Sequence, residues 1–527
     1  MLRIALFTLL CATLAAPAFA AGPTIDIVIA ENAKFGENVL EVETFPATEM
    51  AAQLKKLFAA EVRIHKGKPP ADAQHIIYLG ESYNHPVGDK IKWPEPHIGT
   101  SGQWLKSLEV DGKPALIVAG AGRDATLWAT YELGWHFGIR YFPFGDLYPI
   151  NNPQFSLQGI DLRFPRPTQD PSDLQQGSAE RFWFSNIAGP LGPEAWSADE
   201  LLQKRRYFAA AKFNRIYFKT PNDWNMTPHQ FPVSGETIGR AAFRGAKYFA
   251  NPDIPTDADP QARLLAISQL GADVFREAEK FSFQYRHGGR DAKHVNLLPC
   301  MLHNVLHQRY LASPKTPPTV YIDFACLDDA ALATIYVRRR AFDKQATPAQ
   351  VCEEWLTPVL GPEVHVNVMK AFDLCEKASL ELEKYPDFQT LNEELFRKHF
   401  QSDEPPPAWW SEARTNYLNA MNEMYRANTR AREGGRAFTL YYARRFEFGF
   451  EYLNAVEAVR NAGIAKRKGD KDTQIAELEK AIDSVTNACN AMAAVARSQS
   501  DRGVIAVMNA YGYRPLLKLL EEADAAQ

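Results

Sequence analysis

Short apolar runs alternating with helix-period stretches open the chain. "TIDIVIA" (24–30), "HIIYLG" (75–80) and "ALIVAGAG" (115–122) are β-branched runs, and "ATEMAAQLKKLFAAE" (47–61) carries apolar residues at helical spacing. Strands joined by helices predict an α/β layer over residues 21–156. The layer closes on "GRDATLWATYELGWHFGIRYFPFGDLYP" (122–149), read as a helix ending at Gly138 with Arg140–Pro143 as the strand leaving it.

Over 157–345 the texture changes. "FSLQGIDLRF" is strand-like and "RFWFSNIAGPLGPEAW" (181–196) reads as an aromatic loop; Ser197 and Glu200 then form a capping box for the helix "SADELLQKRRYFAAAKF". That helix runs into the apolar "NRIYFKT" and the polar, aromatic "PNDWNM", the order of a (β/α) barrel, in which active groups sit just past strand C-termini. "AKYFAN", "FSFQYR" and "TVYIDFAC" are further strand candidates, with "VNLLP" a less regular fifth. The stretch from Arg181 to Gln345 falls short of the ~200 residues a full barrel needs. An incomplete barrel is therefore expected, with the missing part between Arg290 and His294.

Residues 346–527 read as a helical bundle. Thr347-Pro348 is an N-cap and N1 pair, and Pro405–Pro407 divides the region, with Trp409 and Trp410 as anchors into the bundle. Ile475, Leu478, Ile482, Val485, Cys489 and Met492 step as a narrow seam, matched by Phe446, Phe450, Leu453 and Val456 on the preceding helix. The fold class is thus α/β plus α: a small N-terminal domain, a barrel-like central domain and a helical C-terminal region.

Composition narrows the function classes. Apolar residues make up 46% and charged residues 23%, and the net charge of −4 comes without a like-charge block, so neither nucleic acid nor an anionic membrane is an expected partner. Met1-Leu2-Arg3, an apolar run to Leu14 and Ala18-Phe19-Ala20 form an export signal over residues 1–20, cleaved after Ala20. The run is too short for a membrane span, so a periplasmic or secreted protein is expected. The cysteines beyond the signal are scattered and show no metal spacing, which favours buried thiols.

The phrase Gly120, Gly122, Tyr131, Leu133, Gly138-Ile139-Arg140-Tyr141-Phe142-Pro143 resembles the end of the accessory α/β domain that precedes the catalytic barrel in alpha-glucuronidases and beta-hexosaminidase-like glycoside hydrolases. "FWFSN", "GPEAW" and "FNRIYF" resemble the start of such a barrel, and "ATPAQVCEEWLTPVLGPEV" the helices after it. The resemblance implies a carbohydrate-active protein acting on polysaccharide or glycan fragments, without cofactor.

Glycosidase chemistry usually needs two carboxyl groups, ~5–5.5 Å apart for retention or ~6.5–9.5 Å for inversion. Asp291, after "YRHGGR", and Asp323, in "YIDFAC", are the candidate pair. An arginine of "VRRR" offers Asp323 a structural partner instead, and a solvated loop is the plain alternative for Asp291. Trp183, Asn222, Asp223, Trp224, Tyr285, Arg286 and His287 are candidate sugar contacts, since sugar C–H faces pack on aromatic rings. "PNDWN" also fits an Asx turn. His303 and His307 share a helix face at i, i+4, but an amphipathic helix contact is favoured over a metal site, and no metal is expected. Loss of part of the barrel leaves open a second class: a non-catalytic carbohydrate-binding or scaffold protein.

Overall fold

The computed structural model describes residues 22–32, 44–94, 98, 101–151, 153–164, 182–185, 191–192, 195–217, 231–256, 259–281, 284–285, 297–313, 319–322, 327–384 and 394–525. It is α/β with a mostly helical C-terminal region. The N-terminal elements run β1 (Thr24–Ile29), α1 (Phe45–Phe58), β2 (Glu61–Lys66), β3 (His75–Glu81), β4 (Gln103–Val110), β5 (Lys113–Gly120), α2 (Arg123–His136) and β6 (Asp161–Phe164). Strand order is β2-β1-β3-β5-β4-β6, parallel across the first four, with β4 antiparallel to both neighbours. Asp111 and Gly112, at φ 51° and 76°, make the two-residue β4–β5 turn, where positive φ matches the strand twist. The edge strand β6 lies beyond residue 156 in the chain.

The aromatic stretch at 122–149 joins this sheet to the helical region. Gly122 caps α2, and Gly138 at φ +93° ends the turn that follows it, against Pro149. Arg140–Pro143 is not a strand: it forms one antiparallel bridge, Arg140 with Leu147. Its side chains explain the departure. Arg140 donates to the carbonyls of Trp135, Ile139 and Glu354, and Phe142 packs against Trp355 (4.8 Å) and Phe438 (5.3 Å). Such contacts need a tight bend rather than a sheet ladder.

Asp146 in the same stretch gives the fold a pH dependence. Burial, and then the nearby Glu49, push its carboxyl up from 3.8 to about 7. Between those values the native state holds a proton that the unfolded chain has lost, so this group's stabilisation falls as pH rises from about 4 to about 7. Asp146→Asn is expected to flatten that slope, read from urea midpoints at pH 5 and pH 7.5.

The central elements are β7 (Phe182–Ser185), α3 (Ala198–Ala210), β8 (Arg215–Tyr217), β9 (Phe231–Pro232), β10 (Tyr248–Phe249), α4 (Pro260–Lys280), β11 (Gln284–Tyr285), α5 (His303–Ala312), β12 (Thr319–Ile322) and α6 (Ala331–Arg340). β11, β8, β7 and β12 form an all-parallel sheet in that order. Three expectations need correction. The aromatic stretch read as a loop contains the sheet's first strand, because a strand of a parallel sheet takes a continuous apolar run with no alternation to read. "AKYFAN" contributes only β10, paired antiparallel with β9 outside that sheet. Leu297–Pro299 of "VNLLP" is not a strand, and Leu297 and Leu298 are buried.

The helical region comprises α7 (Pro348–Leu360), α8 (Val364–Glu383), α9 (Leu395–Gln401), α10 (Ala408–Arg430), α11 (Glu433–Lys468), α12 (Lys471–Ala493), α13 (Gln499–Met508) and α14 (Arg514–Ala525). Thr347 and Gln350 form a capping box on α7. The α12 seam is buried at Leu478, Val485, Cys489 and Met492, and Trp410 is buried with its indole N–H donating to Leu453 O. Cys300, Cys352, Cys375 and Cys489 are buried free thiols. No helix among the described residues is long and apolar enough to cross a membrane. Gly463, near the C-terminal end of α11, lets α9 approach: a Cβ there would lie 1.8 Å from Phe400 O. Gly463→Ala should therefore lower stability by about 1 kcal/mol or more, although alanine is the better helix former. A thermal melt of the variant tests this.

Candidate functional site

The four central strands end within two residues of one another in register. Ser185 is in register with Ile322, Phe184 with Tyr217, and Ile216 with Tyr285, so one edge of the sheet carries all four C-termini. Helices connect the strands, and β12 returns beside β7 although the chain visits β8 and β11 between them. In a barrel or an open parallel sheet alike, this is the edge where ligands bind.

The expected site residues relate to this edge as follows. Trp183 lies on β7, and Tyr285 is the last residue of β11. Asn222, Asp223, Trp224, Arg286, His287, Asp291 and Asp323 lie outside the described residues. In the chain, Asp323 directly follows Ile322, Arg286 and His287 directly follow Tyr285, and Asn222–Trp224 belong to the connection after β8. β11 and β12 are the outer strands of the four, about 14 Å apart for three ~4.8 Å spacings in a flat sheet. β8 stands one strand closer to β12 than β11 does.

The C-terminal helices hold the connections that leave this edge. After β7, Leu191 O accepts from Ser500 Oγ (2.7 Å), which in turn accepts from the buried Trp196 indole N–H (2.8 Å). After β8, Asn509 donates to Ile238 O and accepts from Ile238 N (both 3.0 Å), while Arg502 donates to Ala242 O. The later connections meet at Arg445 on α11. Its guanidinium donates to Leu297 O (2.7 Å) and forks onto Asp329 (2.9 and 3.3 Å), with both side chains fully buried. Sequence reading missed this pair; the available signal was a charged residue flanked by Tyr442 and Phe446 on an apolar helix face.

Other polar residues past the strand candidates have structural roles. Asn251 donates to Trp196 O, Asp253 accepts from Ala198 N, and Asp259 caps α4 through Gln261 N and Ala262 N; Asp257 lies outside the described residues. His303, Asp373 and Glu376 bring three ligand-type atoms within 4.8 Å of one another. The Asn304 amide nitrogen sits among them, 2.8 Å from Asp373, 2.7 Å from Glu376 and 3.1 Å from His303 Nε2, where a cation would have to be. Glu376 also accepts from Asn304 N and Val305 N at the start of α5, which makes it a helix cap. His307 turns to the Tyr336 hydroxyl (2.7 Å), so the two histidines serve different partners. Of the "VRRR" arginines, Arg338 pairs with Glu132, and Arg339 with Glu354 and Asp343.

No family model matches the chain, and no curated protein matches it. Among solved structures, it is similar to a GH138 enzyme targeting pectin rhamnogalacturonan II, at 9% identity and TM-score 0.44, over 89% of this chain and 74% of that one. It is also similar to CpGH84D, at 10% identity and TM-score 0.30, over 88% and 90% of the two chains. These likenesses assign neither activity nor substrate to the chain.

Proposed function

We propose that the chain is an exported, periplasmic or secreted carbohydrate-active protein of the glycoside hydrolase type, acting on polysaccharide or glycan fragments at the C-terminal edge of the central sheet. The shared edge of β11, β8, β7 and β12 carries this reading. Three of the strands lead into connections that carry the residue types sugar chemistry uses: Asp223 and Trp224 after β8, Arg286, His287 and Asp291 after β11, and Asp323 after β12. Asp323 and Asp291 act as the carboxyl pair, Arg286 and His287 orient the sugar, and Trp183, Asn222, Trp224 and Tyr285 provide contacts and stacking faces.

A second reading has its own support. Only four parallel strands line the edge among the described residues, against the eight of a complete barrel, which suits a binding or scaffold protein that has shed the chemistry. A panel of aryl glycosides and uronic-acid oligosaccharides separates the two. Turnover supports the enzyme, whereas saturable binding without turnover supports the scaffold.

A further inference from the structure

A cavity of about 160 Å³ lies between α2, β6, α6 and α7, with Arg338, Lys212 and Glu132 in its wall. It is remote from the proposed sugar site: Lys212 sits in the turn between α3 and β8, at the opposite edge of the central sheet. Among the described residues its buried charges do not balance. Lys212, Arg338 and Arg140 are 2%, 4% and 6% exposed, and the buried carboxylate among them is Glu132. Glu132 accepts from Lys212 (2.7 Å) and from Arg338. Arg140 donates only to carbonyls, and both guanidiniums stand over one indole, Trp135, at 3.9 and 4.0 Å. Burial, together with the charge on Arg338, pushes Arg140 down to about 9.

Burying three cations against one carboxylate is costly unless a further anion joins them. One more observation points to a ligand: among the described residues the buried Arg338 Nε has no hydrogen-bond partner. Lys212, whose φ of 61° is the left-handed ending of α3, sets its ammonium over the rings of Phe164 and Phe342 at 4.0 and 4.3 Å. The mouth lies on the side of Glu354, which is half exposed and paired with Arg339.

We propose that this cavity binds a small carboxylate anion, its carboxylate set against Arg338 and its body between Trp135, Phe164 and Phe342. Calorimetric titration of the full chain with sodium malonate and with sodium glucuronate, against sodium chloride at equal ionic strength, tests it. One-site saturable binding of either acid, absent with chloride, is the expected result; malonate alone identifies a free small acid, and glucuronate alone a sugar acid. Arg338→Gln should abolish that binding. Leu162→Trp, which fills the cavity and leaves every charge in place, should weaken it at least ~10-fold with little change in the melting temperature. Should Arg338→Gln fail to fold, Leu162→Trp carries the test. Absence of binding by both acids, a response equal to that of chloride, or unchanged affinity in the folded variants overturns the proposal. Because neither variant touches the strand C-terminal edge, loss of acid binding with turnover retained separates this site from the proposed sugar site.

Discussion

Hydrolysis by an Asp323→Asn variant is expected to fall about 10²- to 10⁴-fold, the usual contribution of a positioned acid or base, while the melting temperature stays near that of the parent. Asp323 is the first residue past β12, and β12 pairs directly with β7, so its start is set by the sheet rather than by a long connection. Its partner must come within ~5–9.5 Å. Asp291 has six residues of chain beyond Tyr285 in which to reach inward from the far strand, and Asp223 the same number beyond Tyr217 on a nearer one. Parallel kinetics of Asp291→Asn and Asp223→Asn identify the partner: the pair member loses activity on the scale of Asp323→Asn, whereas a sugar contact mainly raises KM. Full turnover in Asp323→Asn would remove that residue from the mechanism.

Arg445→Met should destabilise the protein by about 3–5 kcal/mol, the largest single effect expected on folding. The substitution leaves Asp329 charged with no water to solvate it and Leu297 O without its donor. The Asp329→Leu/Arg445→Met double variant should recover most of the loss, because apolar residues of similar volume often replace a buried pair without penalty. Urea midpoints of the single and double variants decide between an ion pair that matters for its charge and a site that tolerates no change at all. The double variant should still lose sugar turnover or binding if Arg445 holds the connections after β11 and β12 in place.

Local rules were legible in the chain. Ser197 with Glu200 forms the capping box that its spacing implies, Thr347-Pro348 starts α7, and the α12 seam is buried at Leu478, Val485, Cys489 and Met492. What escaped reading was non-local. β7 gives no alternation because it lies inside a parallel sheet, and its neighbour β12 comes from far along the chain. Lys212, Glu132 and Arg338 stand on three separate elements, and no spacing tells which arginine of "VRRR" will meet which acid. The candidate site was legible as a set of strand ends, since chain order alone puts Asp323 after "TVYI". The distance between its acids depends on sheet order, which one sequence does not reveal.

The pairing of β12 with β7 also has a kinetic meaning. Contacts between segments so distant in the chain pay a large loop-closure entropy before they return any stabilisation, and they slow folding. The N-terminal sheet closes over shorter distances in the chain, from the adjacent β4 and β5 to the pairing of β4 with β6. A refolding experiment should show that sheet protected early from hydrogen exchange and the central one late. The candidate sugar edge would then be among the last parts of the molecule to exist, assembled only once Thr319–Ile322 has found its place.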